Sequence, residues 1–181
     1  KISVFFVMVV VALDPLDPAT REAIVTCIVD AFREDAGFLW VAGGPGPLYT
    51  AYVRWVATLA AHVVGRVGGV ALAVPGPDGF AGVALALPPG KSVGDARPGQ
   101  LLRGPVGPAP YRLTGDRAPL GMTAEGANAA ERRDHAVADA ALRARGAVSD
   151  PHWYLWLLGV ATAGQGRGVG RQLLDRLWEL Q

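Results

Sequence analysis

The residues most suggestive of chemistry are Gln165-Gly166-Arg167-Gly168-Val169-Gly170, followed by Arg171. An apolar run precedes them and an amphipathic helical pattern follows. A glycine-rich turn at such a junction could cradle an anion. A helix start carries about half a positive charge and several N–H groups without partners. Glycine lets the backbone approach a ligand closely. Acidic residues normally fill the first helical turn. Here Arg167 and Arg171 flank it instead, and no Asp or Glu occurs before Asp175. Each such arginine costs roughly a few tenths of a kcal/mol, up to ~1, against the helix dipole. A bound anion would reverse that sign. The competing reading is a tight strand-to-helix connection without a ligand, and the arginines weigh against it.

Other phosphate loops fail on spacing. A Walker loop ends in Gly-Lys-Ser/Thr, and no lysine follows these glycines. A dinucleotide fingerprint counted from Gly164 or Gly166 needs glycine at Val169 or Arg171. The lone Cys27 excludes an intrachain disulfide and lies in an apolar helical pattern. It reads as buried filler and not as a nucleophile. His62, His135 and His152 are far apart and share no metal-ligand spacing with cysteine, so no metal site is expected.

These residues need elements to hold them. Ile2–Ala12 is rich in Val and Phe and reads as a strand. It also resembles the middle of a signal peptide, but Asp14-Pro15-Leu16-Asp17-Pro18 follows where a small-residue cleavage site would stand. Asp17-Pro18 predicts a helix start. Ile24, Ile28 and Phe32, with Val25 and Val29, carry that helix's buried face to an end near Gly37. After the loop Gly43–Pro47, Leu48, Tyr52, Trp55, Leu59 and Val63 predict a second helix to about Val64. Val67–Val74 and Phe80–Leu87 predict a hairpin around Pro75–Gly79. Pro88–Gly121, dense in Gly and Pro, reads as a long loop. Ala124–Gly146 reads as a helix with Arg132, Arg133, Arg143 and Arg145 solvated. His152–Ala161 reads as a strand. Gly168–Leu180 reads as a helix with Val169, Leu173, Leu174, Leu177 and Trp178 on one stripe. There is no internal repeat.

The 181 residues suit a single domain, 1–181, with a sizeable core. Hydrophobic residues make up 51% and charged residues 18%, a folded and not a disordered balance. The net charge of +1 gives no global attraction to nucleic acid or an anionic membrane. The chain begins with Lys1 and ends inside a helical pattern, so it reads as a fragment.

The glycine turn resembles motif A of the GNAT N-acetyltransferase family, Gln/Arg-x-x-Gly-x-Gly/Ala. His152-Trp153-Tyr154-Leu155-Trp156-Leu157-Leu158-Gly159-Val160 is similar to that family's fourth strand. Asp30-Ala31-Phe32 and Ala84-Leu85-Ala86-Leu87-Pro88-Pro89-Gly90 are consistent with its earlier parts. The resemblance covers most of the chain, with specific motifs from about 150 to 180. It implies an α/β (α+β) fold: a mixed, mostly antiparallel central sheet flanked by helices, splaying open after the fourth strand. Acetyl-CoA, as co-substrate, would enter the splay. Its pantetheine arm would pair with backbone around Leu158, Gly159 and Val160. Its pyrophosphate would rest on the N–H groups of Gln165, Gly166, Arg167, Gly168, Val169 and Gly170, with Arg171 close by. Backbone groups of the fourth strand would supply oxyanion donors. The family's C-terminal strands, and the tyrosine it uses as an acid, would lie beyond Gln181.

Relatives often carry Glu where this chain has Trp156, and a tryptophan takes no proton. Strand alternation places positions 154, 156, 158 and 160 on one face. Tyr154 is then the catalytic candidate, or else an aromatic filling the sheet; His152 lies at the strand's edge. The resemblance implies transfer of acetyl from acetyl-CoA to a primary amine of a small-molecule or peptide acceptor. A catalytically inactive CoA-binding regulatory or interaction module is the alternative, and a nucleotide-phosphate binder a more distant one. The acceptor pocket would be lined by the first two helices and the Pro88–Gly121 loop, neither of which carries a concentrated acidic cluster. A cytoplasmic location is expected, with no nucleic-acid or membrane partner; a homodimer is compatible with the sequence.

Overall fold

A central hairpin organises the chain. In the computed structural model, which describes residues 9–96, 105–112, 118–147 and 150–180, β2 (Val70–Gly76) and β3 (Gly79–Leu87) pair antiparallel. The turn is tighter than the sequence suggests, because Gly76 and Gly79 already pair across Pro77-Asp78. β1 (Val11–Leu13) joins β2, and β4 (Tyr154–Val160) joins β3. The sheet order is β1-β2-β3-β4, antiparallel at every described pairing. The expected strand over Ile2–Ala12 lies largely outside the described residues.

Five helices flank this sheet among the described residues: α1 (Pro18–Ala31), α2 (Ala36–Ala42), α3 (Pro47–Arg66), α4 (Ala124–Gly146) and α5 (Val169–Trp178). Asp17 starts α1 as expected, its carboxylate accepting from the Thr20 N–H at 2.7 Å. That bond holds the Asp17 carboxyl below its ordinary pKa. The helix does not run on to Gly37. It stops at Ala31, and Asp35 caps a separate α2 by accepting from the Phe38 N–H at 2.9 Å. Tyr49 of α3 bridges the break: its hydroxyl donates to the Phe32 carbonyl and accepts from the Asp35 N–H. The Phe32 carbonyl and the Asp35 N–H, which the interruption frees, are therefore satisfied.

Alternation along the strands divides the core in two. On one face Ala71, Ala73, Val83, Leu85 and Leu87 pack against Ile24, Val25 and Ile28 of α1 and Ala57, Ala60 and Val64 of α3. On the other face Leu72, Val74, Ala84 and Ala86 pack against Val169, Leu173 and Leu177 of α5. The buried stripe of α5 is thus narrower than the sequence suggests. Leu174 and Trp178 sit about 100° further round the helix and are exposed, Trp178 to 74%.

A third cluster joins Val41, Leu48, Tyr52, Tyr111 and Ala130, tying α2, α3, α4 and the segment around Tyr111 together. Arg133 is not solvated as the sequence suggested. Its Nε donates to the Val41 carbonyl at 3.0 Å, across to α2. Arg132 and Arg143 are exposed, and the Arg145 side chain lies outside the described set. Parts of the expected Pro88–Gly121 loop also lie outside it. The described parts include short 3-10 turns at Val93–Ala96 and Pro119–Gly121.

Candidate functional site

β4 carries a bulge that decides what faces what. Leu87, Ala86, Leu85 and Ala84 pair with Tyr154, Leu155, Leu157 and Leu158, so Trp156 is the extra residue. An extra residue shifts the two-residue side-chain period by one step. Tyr154 and Trp156 consequently pack with Leu157 on the α1/α3 face, while Leu155, Leu158 and Val160 lie on the α5 face. The expectation that 154, 156, 158 and 160 share a face is overturned. Alternation holds only on each side of Trp156 separately.

Beyond the bulge the strand is regular, and its backbone directions follow. The Ala161 N–H donates to the Ala81 carbonyl at 3.0 Å. The N–H and C=O of one strand residue point the same way and alternate with the next. Gly159 therefore turns its backbone towards β3, and Leu158 and Val160 turn theirs outward. β4 is the last strand in the described order, so they face an open edge. Gln165 reaches back there, its Nε2 donating to the Val160 carbonyl at 3.3 Å.

A 3-10 turn, Thr162–Gly164, connects β4 to the glycines. Asp30 of α1 grips it: one carboxylate oxygen accepts from the Thr162 N–H at 2.6 Å and the other from the Thr162 hydroxyl at 3.2 Å. The Gln165 N–H closes the turn on the Thr162 carbonyl at 3.3 Å, so the available donors begin after it. Gly166 and Gly168 adopt φ of +71° and +78°. Side chains rarely occupy that left-handed region, which explains glycine at both positions. Gly168 is the N-cap of α5 and offers no side-chain cap, and the first turn holds no acidic residue. The N–H groups of Val169, Gly170 and Arg171 are donors the helix itself cannot satisfy. This helix start stands beside the strand edge: a Cβ on Gly170 would lie 3.5 Å from Val160 Cγ2 and 3.7 Å from Leu158 Cδ2. Arg167 is exposed. Arg171 is exposed too, with Asp175 at 3.7 Å as a loose counter-charge.

A cleft of about 510 Å³ opens beside this edge. Leu158, Gly159 and Val160 form one wall and the α1–α2 junction forms the other. The junction brings Asp30, Glu34 and Asp35 together with Arg33. The sequence reading found no acidic concentration here, because the break between the helices folds these residues round one opening. The two aspartates differ in role: Asp30 holds Thr162 and Asp35 caps α2.

The remaining candidates are placed elsewhere. Cys27 is buried, and burial pushes its thiol up to about 11, which suppresses the thiolate. His62 is buried in α3, and desolvation, then Arg66 and Arg21, lower its pKa. The ring Nδ1 of His152 lies 2.7 Å from the Asp150 carbonyl, before β4 begins. Among the described residues no group of His, Cys, Asp and Glu could hold a metal ion. One polar cluster was not foreseen: Tyr52 and Tyr111 both donate their hydroxyls to the Asp134 carboxylate, with a Tyr111–Asp134 distance of 2.5 Å. The helical period marked Tyr52 as core, but nothing local in the sequence pairs it with Asp134.

No protein-family model matches the chain, and no curated protein matches it. A solved structure described as a histone acetyltransferase HPA2 and related acetyltransferase from Corynebacterium glutamicum is similar to it, with a TM-score of 0.52 and 22% identity over 93% of this chain and 68% of that one. The chain accordingly has a GNAT-like α/β fold, an antiparallel four-stranded sheet flanked by helices.

Proposed function

We propose that the chain is an acetyltransferase that moves an acetyl group from acetyl-CoA to a primary amine of a small-molecule or peptide acceptor. One observation carries this reading. Outward backbone groups at Leu158 and Val160 lead directly to an uncapped helix start whose turn is built on left-handed glycines. The strand edge suits the amide groups of a pantetheine arm. The N–H groups after Gln165, with Arg167 and Arg171, suit a pyrophosphate. The bulge at Trp156 interrupts the ladder with β3, and backbone N–H groups at such an interruption suit a developing oxyanion.

Tyr154 is the ionisable side chain of β4, and it lies on the sheet face towards α1, as the cleft does. We assign it the proton-handling role, which Tyr154→Phe tests through kcat. The decisive experiment is calorimetry with CoA, followed by thiol release from acetyl-CoA on adding amines. Micromolar CoA binding and amine-dependent thiol release are expected. A folded protein that fails to bind CoA would sink the proposal.

The second reading, a CoA-binding regulatory or interaction module without turnover, is favoured by Trp156. That residue takes no proton and is packed against the core. It predicts CoA affinity with no acetylation of any amine in a broad panel. A nucleotide-phosphate binder would instead show ATP or NAD competing with CoA. A cytoplasmic location goes with the acetyltransferase reading; no described helix is long and apolar enough to cross a membrane.

A further inference from the structure

We infer that Asp30 is a positioning residue for the anion-binding turn, acting through Thr162. The inference rests on the proposal that this turn holds the pyrophosphate of CoA. Asp30 and Thr162 are remote in sequence, yet both carboxylate oxygens are engaged, at 2.6 Å and 3.2 Å. Two-point attachment fixes direction as well as distance. The opposite side of the turn is fixed by β3: a Cβ on Gly164 would fall 2.6 Å from the Ala81 carbonyl oxygen. The turn is therefore held between α1 and β3. Immediately beyond it, Gly166 and Gly168 give the backbone little side-chain restraint of its own. Where the N–H groups of Gly166, Arg167 and Gly168 stand then depends on the anchored turn before them, while the buried Val169 fixes the start of α5 after them.

The location of Asp30 within α1 points the same way. It lies in the last turn of the helix, which carries no basic residue. A carboxylate is electrostatically disfavoured at that end. The grip on Thr162 is what the structure gains from it. The same carboxylate lies at the border of the cleft, so it links the wall on the acceptor side to the turn on the cofactor side.

The test compares Asp30→Ala, Asp30→Asn, Thr162→Val and Thr162→Ser by CoA calorimetry, steady-state kinetics and thermal melting. Asp30→Ala should weaken CoA at least about tenfold, since charge-assisted bonds to the turn are lost. Asp30→Asn should recover most of that loss, because its amide oxygen still accepts from the Thr162 N–H. Thr162→Val should cost several-fold and Thr162→Ser almost nothing. The KM for acetyl-CoA should rise in Asp30→Ala while the KM for the amine stays within about twofold. Pantetheine, which lacks the pyrophosphate, should bind wild type and Asp30→Ala equally. Equal CoA affinity in wild type and a folded Asp30→Ala overturns the inference. So does an Asp30→Asn variant that keeps CoA affinity but loses the amine, since Asp30 would then be an acceptor contact. Absence of CoA binding in the wild type would instead remove the functional proposal on which the inference stands.

Discussion

The turn at 165–170 and the cluster around Asp134 treat polar groups in opposite ways. Around Asp134, two tyrosine hydroxyls, 4% and 5% exposed as residues, converge on one carboxylate within a nest of aromatic rings. Every polar partner there is internal, and the result ties α4 and the segment at Tyr111 to α3. At the turn, glycines replace side chains, the helix start has no cap, and arginines stand where carboxylates normally would. Val169 packs into the core beneath it. The difference separates a region that holds the fold together from one whose N–H groups its own helix cannot satisfy.

The contrast can be broken at either end. Asp134→Ala should have the largest effect, about 3 kcal/mol of stability, because it strands two buried hydroxyls at once. CoA affinity should be unchanged, and an unaltered melting temperature would refute the account of this cluster. A pH series sharpens the same point. Burial first, and the bond and charge of Asp134 next, raise both tyrosine pKa values in the folded state. The contribution is thus complete below the unfolded value of about 10 and is lost progressively as pH rises above it. The double variant Tyr52→Phe/Tyr111→Phe should flatten that alkaline fall in Tm.

Gly168→Val should act at the other end. A β-branched residue at φ +78° costs about 1–3 kcal/mol, and the shifted donors should weaken CoA by more than tenfold. Equal CoA affinity in a folded variant would show that the turn's conformation is immaterial. Arg171→Ala should have the smallest effect. Its exposed pair with Asp175 is worth about 0.3–0.5 kcal/mol at most, so stability should hold while CoA affinity falls a few-fold, less so in high salt. Titrations at low and high salt would check this.

Local signals were legible because their physics is local. Asp17-Pro18 announced α1, the glycines announced the turn before α5, and two apolar runs announced the hairpin. The break between α1 and α2 was also locally encoded, by Asp35 as a cap, but the apolar period running through Phe32 obscured it. The pairing of Asp134 with Tyr52 and Tyr111, and of Asp30 with Thr162, depends on tertiary placement that no spacing reveals. The orientation of Tyr154 was missed for a subtler reason. Counting by twos is valid only in an uninterrupted ladder, and Trp156 interrupts it.

That extra residue behaves like a dislocation in a crystal. The segments on either side of it are each in register with β3, and only their relative phase is offset. Trp156 is therefore a position whose removal would leave Tyr154, Leu155, Leu157 and Leu158 opposite the partners they have now. Deleting Leu155 or Leu157 would instead draw Trp156 into the vacated place opposite Ala86 or Leu85. The strand thus contains one site at which its length, and with it the bend of the edge beside the cleft, can change while its neighbours keep their places.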